Sequence, residues 1–350
     1  MGKTLSALDL SLSEWQGYFR EIGLPNFRGR QVWEGLYKNL YTESSSFTNI
    51  PKDLRGKIFD AYPLQTLTLE KSVKSKDGET EKVLFRLDSG NLIETVLMNY
   101  DERNTVCVST QSGCAMGCVF CATGQMGFYE NLSSGEIIGQ ILHFERKLRS
   151  SGEKLTNIVF MGMGEPFHNY DNVLKAIRVL NDASGFNFGA RRFTISTVGL
   201  IPQILRLAKE EIQVNLAISL HAANNELRSS MMPVNRKYPV EELIAACRDY
   251  VQETHRRVTF EYALVSDVND HPENASDLAL LLKGFNCHVN LIPLNPTKKY
   301  QRSGSSRERA AAFKAVLDEA GIPCTIRMRR GIDINAGCGQ LASSVVKPSA

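Results

Sequence analysis

The sequence predicts an α/β fold built on a parallel sheet, preceded by a helical module and a short β-rich stretch. Three observations carry this. From Thr105 onward six apolar, β-branched runs recur: TVCVST, NIVFMG, RFTIST, VNLAIS, RVTFEYALV and HVNLIPL. Helical patterns follow most of them, among them 134–148 and 240–253. Ahead of them, the chain up to about residue 60 shows helical rather than strand periodicity. Strand and helix in alternation point to right-handed βαβ units, because a crossover helix returns the chain to begin the next strand in the same direction. Six such units fit an incomplete barrel or a doubly wound open sheet. In both, functional residues belong in the loops after the strand C-termini.

In chain order, Leu12, Trp15, Tyr18, Phe19 and Ile22 recur at three- and four-residue steps. Gly23 and Pro25 stop that helix, and a second runs from Phe27 to Tyr41. Its FRGRQVWEGLY interleaves Arg28 and Arg30 with Trp33 and Tyr37, a mixture that can grip RNA, although Trp33 at helical spacing fits a core better. Residues 1–62 are therefore a helical accessory domain and a candidate for RNA docking. LQTLTLEKSV, EKVLFRL and NLIETVLM, separated by KSKDGE and DSG, read as short antiparallel strands, giving a small β extension over 63–102. The main domain spans 103–330, and 331–350 is a C-terminal segment carrying Cys338.

Composition excludes several classes. In 350 residues with 43% hydrophobic content no apolar run approaches the roughly 18 residues that cross a bilayer. The start MGKTLSALDL lacks the apolar core of a secretion signal, so the expected location is the cytoplasm. Eight cysteines are too dilute for a disulfide scaffold. No heptad or exposed apolar repeat calls for an obligate assembly, and a monomer is expected. A net charge of +3 does not mark a nucleic-acid binder, but Lys298 to Arg330 holds nine basic residues against three acids. Such an excess can meet phosphates, or it can be a solvated helix face and loop.

The chemistry centres on 106–128, VCVSTQSGCAMGCVFCATGQMGF, where Cys114, Cys118 and Cys121 stand at a C-x₃-C-x₂-C spacing. Three thiolates on one loop suit an iron-sulfur cube, and three ligands for four irons leave one iron open. Structural zinc with a distant fourth ligand is the alternative, but the second cysteine pair usual for zinc is missing. Gly162-Met163-Gly164-Glu165-Pro166 ends the second strand, where glycines admit a ligand to the backbone and Glu165 can accept from an ammonium group. Ser196, Ser219 to His221 and Asn295 follow other strands; each singly is an ordinary strand-end polar group, and together they outline a pocket.

With Phe120 just before its last cysteine, the loop resembles that of the radical S-adenosylmethionine (SAM) superfamily. VCVSTQSGC, FMGMGEP, FTISTVG, ISLHA, LIPLNP and GIDINAGCGQL, from Val106 to Leu341, stand in the order of one family within it, the RNA adenine methyltransferases of the RlmN/Cfr type. The resemblance implies a partial (β/α)6 barrel. It implies a [4Fe-4S] cluster on Cys114, Cys118 and Cys121, and two SAM per turnover, held by Gly164, Glu165, Ser196, Ser219, Leu220, His221 and Asn295. It further implies that Cys338 becomes S-methylcysteine, that Cys107 resolves the enzyme-RNA adduct through a transient disulfide with Cys338, and that Glu94 is the proton acceptor. Both cysteines could otherwise be buried small hydrophobes. The implied reaction is methylation of adenine carbon 2 in 23S ribosomal RNA and certain transfer RNAs, with an electron donor such as flavodoxin. Methylation at carbon 8 is the sister activity; a glycyl-radical activase and a non-catalytic iron-sulfur RNA binder are readings from other classes.

Overall fold

The computed structural model describes residues 5–327 and 329–342. The first four residues of the 1–62 module and the last eight of the 331–350 segment lie outside the described residues. Three helices open the chain: α1 (Leu12–Glu21), α2 (Phe27–Tyr37) and α3 (Lys52–Ala61). Ser11 starts α1 with a reciprocal cap, its Oγ accepting from Glu14 N–H while the Glu14 carboxylate accepts from Ser11 N–H. Helices α1 and α2 cross closely at Gly29, where a Cβ would lie 2.8 Å from the backbone nitrogen of Gln16. Trp15, Phe19 and Trp33 are buried, so Trp33 belongs to the core and is not offered to RNA.

Strands follow as β1 (Thr68–Lys74), β2 (Thr80–Arg86), β3 (Leu92–Tyr100), β4 (Arg103–Cys107), β5 (Gln111–Cys114), β6 (Gly127–Asn131), β7 (Asn157–Phe160), β8 (Phe193–Thr197), β9 (Asn215–Ser219), β10 (Val258–Leu264), β11 (Cys287–Pro293) and β12 (Cys324–Ile326). Between and after them run α4 (Ser134–Ser150), α5 (Tyr170–Asn181), α6 (Ile201–Ala208), α7 (Asn225–Met231), α8 (Val240–Thr254), α9 (Pro272–Leu281) and α10 (Arg307–Glu319). One ten-stranded sheet has the order β1-β2-β3-β4-β7-β8-β9-β10-β11-β12. Strands β4 and β7 to β12 are parallel; β1 to β4 form an antiparallel meander. The sheet wraps without closing, which is the partial α/β barrel the sequence predicts. The β-rich stretch is continuous with it, Val96 of β3 pairing with Cys107 of β4.

Two features lay outside the sequence reading. Strand β12 is a seventh parallel strand of only three residues, too short to show a pattern. Strands β5 and β6 form a separate hairpin that brackets the loop cysteines, and QSGC carries no apolar alternation to reveal it.

Asp9 fastens the N-terminal module to the barrel. Its carboxylate accepts from Ser6 N–H (2.9 Å), Ser134 Oγ (3.0 Å) and Gly135 N–H (2.6 Å), the last two at the N-terminus of α4, where backbone N–H groups and the helix dipole favour an anion. Burial pushes the Asp9 carboxyl up, but these bonds outweigh it and hold it below its usual 3.8. A depressed carboxyl contributes stability above that value, lost as pH falls through the lower native one. Asp9→Ala is expected to cost about 2–4 kcal/mol, read as a lowered thermal midpoint at neutral pH. A midpoint unchanged at pH 7 would show that the contact is idle.

Candidate active site

The site lies at the C-terminal ends of the parallel strands. Cys114 ends β5, and Cys118 and Cys121 follow in the turn before β6. All three line one cavity together with Gly164, Glu165, Ser196, Ser219, His221, Asn295 and Cys338. The cavity volume, with the open solvent at its mouth included, is about 980 Å³. A second cavity beside it is lined by Val96, Met98, Tyr100, Cys107, Arg327 and Cys338. Cys338 lies on the wall common to both.

Among the described residues only Asp267, Asp270 and His271 bring three ligand atoms within 4.8 Å of one another. The loop sulfurs therefore do not converge as they would on one zinc ion, whose tetrahedral thiolates sit about 3.8 Å apart. Burial pushes the Cys114 thiol up to about 12 and Cys118 well above its ordinary value, each raised further by its neighbours. Such thiols become thiolates together only against a cationic metal centre. The Asp267 group holds a guanidinium already, with Arg309 2.6 Å from Asp267 and 2.7 Å from Asp270.

Gly164 has φ +101°, and a Cβ there would lie 2.5 Å from the Gln111 side chain. Gln111 reaches across to the GEP segment, its Oε1 accepting from Glu165 N–H at 2.8 Å. The Glu165 carboxylate accepts from Phe167 N–H and Val198 N–H, both at 2.9 Å. Burial pushes it up to about 7 against those bonds. Asn295 donates to the Cys338 carbonyl at 3.4 Å, while its own Oδ1 is buried without a hydrogen-bond partner. An orphaned acceptor on a cavity wall is where a ligand's N–H or ammonium group belongs.

His221 stands against Phe120 edge to face, and its Nδ1 accepts from Ala263 N–H at 2.9 Å. Burial, with Arg228 nearby, pushes it down to about 3, so it is neutral at physiological pH and serves as a wall. Leu220 does not line the cavity: its side chain is buried elsewhere, and its carbonyl accepts from Arg228 Nε at 3.1 Å.

Arg228 escaped the sequence reading. Fully buried, it donates to the carbonyls of Leu220, Val198 (2.7 Å) and Ser219 (3.3 Å) and to Asn235 Oδ1 (2.9 Å), tying the loops after β8 and β9 to α7. No motif marks it, because its partners come from three separate loops. Arg228→Met fits the space but strips those acceptors of their donors, and a loss of at least about 3 kcal/mol is expected. Thermal unfolding checks this, and a midpoint equal to that of the unaltered protein would refute it. Glu261 is a charge inside the largely apolar strand β10. It lies 3.7 Å from Arg327 on the cavity wall.

The C-terminal segment is clasped to the cysteine loop. Ala122 N–H donates to the Gly339 carbonyl at 2.7 Å and Thr123 Oγ1 to that of Leu341 at 2.6 Å. Positive φ at Gly331, Asn335 and Gly339 lets it turn back on itself. Cys338 is exposed and Cys107 is buried. Glu94 shares a strand face with Val96, Met98 and Tyr100 but lines neither cavity. Its carboxylate meets Lys82 Nζ at 2.9 Å and Ala342 N–H at 3.0 Å. Lys82 also donates to the Asn335 carbonyl at 3.1 Å. Burial raises the Glu94 carboxyl above its ordinary value despite Lys82.

Comparison with known proteins agrees with this geometry. The profile described as the radical SAM superfamily matches residues 108–279, and that described as the ribosomal RNA large subunit methyltransferase N-terminal domain matches 6–62. A probable dual-specificity RNA methyltransferase RlmN of Chloroflexus aurantiacus is 49% identical over 345 residues, 95% of this chain and 92% of its own. Dual-specificity RNA methyltransferase RlmN 1 of Myxococcus xanthus is 47% identical, over 99% of this chain and 94% of its own. The crystal structure of a radical SAM methyltransferase from Sphaerobacter thermophilus superposes with a TM-score of 0.95 at 51% identity, covering 97% of this chain and all of that one. Loop cysteines, barrel and relatives together place the chain in the RlmN family of radical SAM RNA methyltransferases.

Proposed function

We propose that this protein methylates carbon 2 of an adenine in 23S ribosomal RNA, and of an adenine in certain transfer RNAs, with Cys338 as the methyl carrier. One observation supports this above the others: Cys338 stands on the wall between the cavity of the loop cysteines and the cavity of Cys107. A carrier thiol needs access to both the methyl source and the acceptor. RlmN relatives bear the name dual-specificity RNA methyltransferase, which fits two RNA classes.

Cys114, Cys118 and Cys121 would hold a [4Fe-4S] cluster. Gly164, Glu165, Ser196, Ser219, His221 and Asn295 would hold SAM. When bound, cluster and SAM supply the methyl group and the carbon radical that a non-nucleophilic ring carbon requires. Cys338 takes the methyl on sulfur, yields one of its hydrogen atoms, and bonds through that carbon to the ring. Glu94 removes the ring proton as the unpaired electron left by that bond departs, for which the cluster would be the acceptor. Cys107 then attacks the Cys338 sulfur, closing a disulfide and leaving the carbon, with a proton added, on the RNA. Because Ala342 and Lys82 occupy the Glu94 carboxylate, that role requires the C-terminal segment to shift when RNA enters. A flavodoxin-type electron carrier, a cytoplasmic setting and a monomeric state complete the reading; among the described residues no helix is long and apolar enough to cross a membrane.

Anaerobic reconstitution with iron and sulfide, then SAM, reductant and RNA, tests it. Mass spectrometry of the RNA is expected to show 2-methyladenine. 8-Methyladenine would reassign the position, and protein that binds zinc and leaves RNA unmodified would end the reading.

A further inference from the structure

We propose that the groove on the outer side of the Cys338 segment is a subsite for the single-stranded RNA nucleotide adjoining the target adenine. The subsite presupposes the RNA-methylating activity above and gives it a place on the surface. The groove is lined by Lys82, Gln125, Tyr129, Lys298, Lys299 and Gln340 among others, with no acidic residue in its walls, and its non-atom space is about 1150 Å³. Asn335, Gln340 and Ala342 form part of it. They belong to the stretch that presents Cys338 to the two catalytic cavities. A strand whose target base reaches Cys338 has its neighbouring nucleotide within reach of this groove.

The lining suits one nucleotide in two ways. Lys82 comes from β2 and Lys298 and Lys299 from the loop after β11, so cations converge from distant parts of the chain. Lys82 and Lys299 also brace the site, on the Asn335 and Gln125 carbonyls. Lys298 is exposed and makes no ion pair with another described residue, which leaves its charge for a phosphate. Tyr129, on β6, is 55% exposed although its ring rests against Gly113, where a Cβ would lie 2.9 Å from Tyr129 Cδ2. A ring held in place and still open to solvent is a platform for a base. The neighbouring amides are already spent: Gln125 Nε2 donates to the Val119 carbonyl, and Gln340 Oε1 accepts from Gly337 N–H. Stacking and a phosphate contact without base-edge readout make the subsite tolerant of base identity. Lys82 is paired with Glu94, but a concave slot with Lys298 and Lys299 at its wall and one exposed ring favours a nucleic-acid strand over the face of an electron-carrier protein.

The test uses anaerobic, cluster-loaded protein and an unmodified transfer RNA transcript that the unaltered protein methylates. Tyr129→Ala is expected to weaken RNA binding about ten-fold, with Tyr129→Phe within two-fold of the unaltered protein. Lys298→Ala is expected to flatten the slope of log affinity against log salt by about 0.7. In Tyr129→Ala and Lys298→Ala KM for RNA carries the effect, while kcat and the methylation of Cys338 by SAM without RNA stay unchanged. The subsite is overturned if Tyr129→Phe binds as weakly as Tyr129→Ala, or if Lys298→Ala leaves the slope alone. It is overturned too if losses occur with a flavodoxin-class donor but vanish with dithionite, which would make the groove a protein dock. Unaltered protein that methylates no RNA brings down both this subsite and the activity; variants that match an active protein bring down the subsite alone.

Discussion

Cys338→Ala is expected to reduce methylated adenine in RNA below detection while the protein keeps its fold and its iron. The thiol is exposed, so its removal opens no core cavity, and stability should stay within about 0.5 kcal/mol. It is not one of the three loop cysteines, so iron content and the visible absorption of the reconstituted protein should match those of the unaltered chain. What disappears is the sulfur proposed to carry the methyl group. Methylation that survives in this variant, even at a few per cent of the original rate, would show that the methyl reaches RNA by another path and would refute the carrier role.

Cys107→Ala should separate formation of the product bond from its release. Without an attacking thiol, Cys338 remains joined to RNA, and a covalent protein-RNA species should accumulate to about one per active site. Denaturing electrophoresis with labelled RNA reads this directly, and clean multiple turnover would remove Cys107 from the role. A pH dependence belongs to the same step. Burial and the nearby Cys338 push the Cys107 thiol up to about 12. Below that value its reactive thiolate gains about ten-fold per pH unit. Decay of a preformed adduct in unaltered protein should therefore speed up about ten-fold between pH 7 and pH 8 and again towards pH 9, provided the attack limits it. A flat profile would mean that proton removal from Cys107 does not govern release.

How much of this was legible in the sequence depended on whether the signal was local. Strands β7 to β11 were, because a buried parallel strand must be apolar along most of its length, and IVF or LAI says so within a few residues. The loop cysteines were legible because three thiols sit within eight residues. Strand β12 and the β5-β6 hairpin were not: CTI is too short for any period, and QSGC is held by its partner strand rather than by an apolar face. Arg228 and Gln111 were hidden for a different reason. Each is an ordinary polar residue in its own segment and gains meaning only when folding brings the ends of several strands around it. Leu220, from the motif ISLHA, has a buried side chain and gives its carbonyl to Arg228, a contact that the motif alone does not announce. The Lys82–Glu94–Ala342 contact spans more than 240 positions, and no pattern within any window could have announced it.

From β4 onward the main sheet adds its strands in chain order, so each newly made strand can join the edge left by the one before. Domains take shape from the N-terminus as the chain leaves the ribosome. The stretch that ends at Ala342 thus arrives well after the three thiols, and through Gly339 and Leu341 it shuts over them like a door. Iron would then have a period of open access before that stretch is made, and a chain stopped at Arg330 should still load iron yet surrender it faster to a chelator than the full-length protein does.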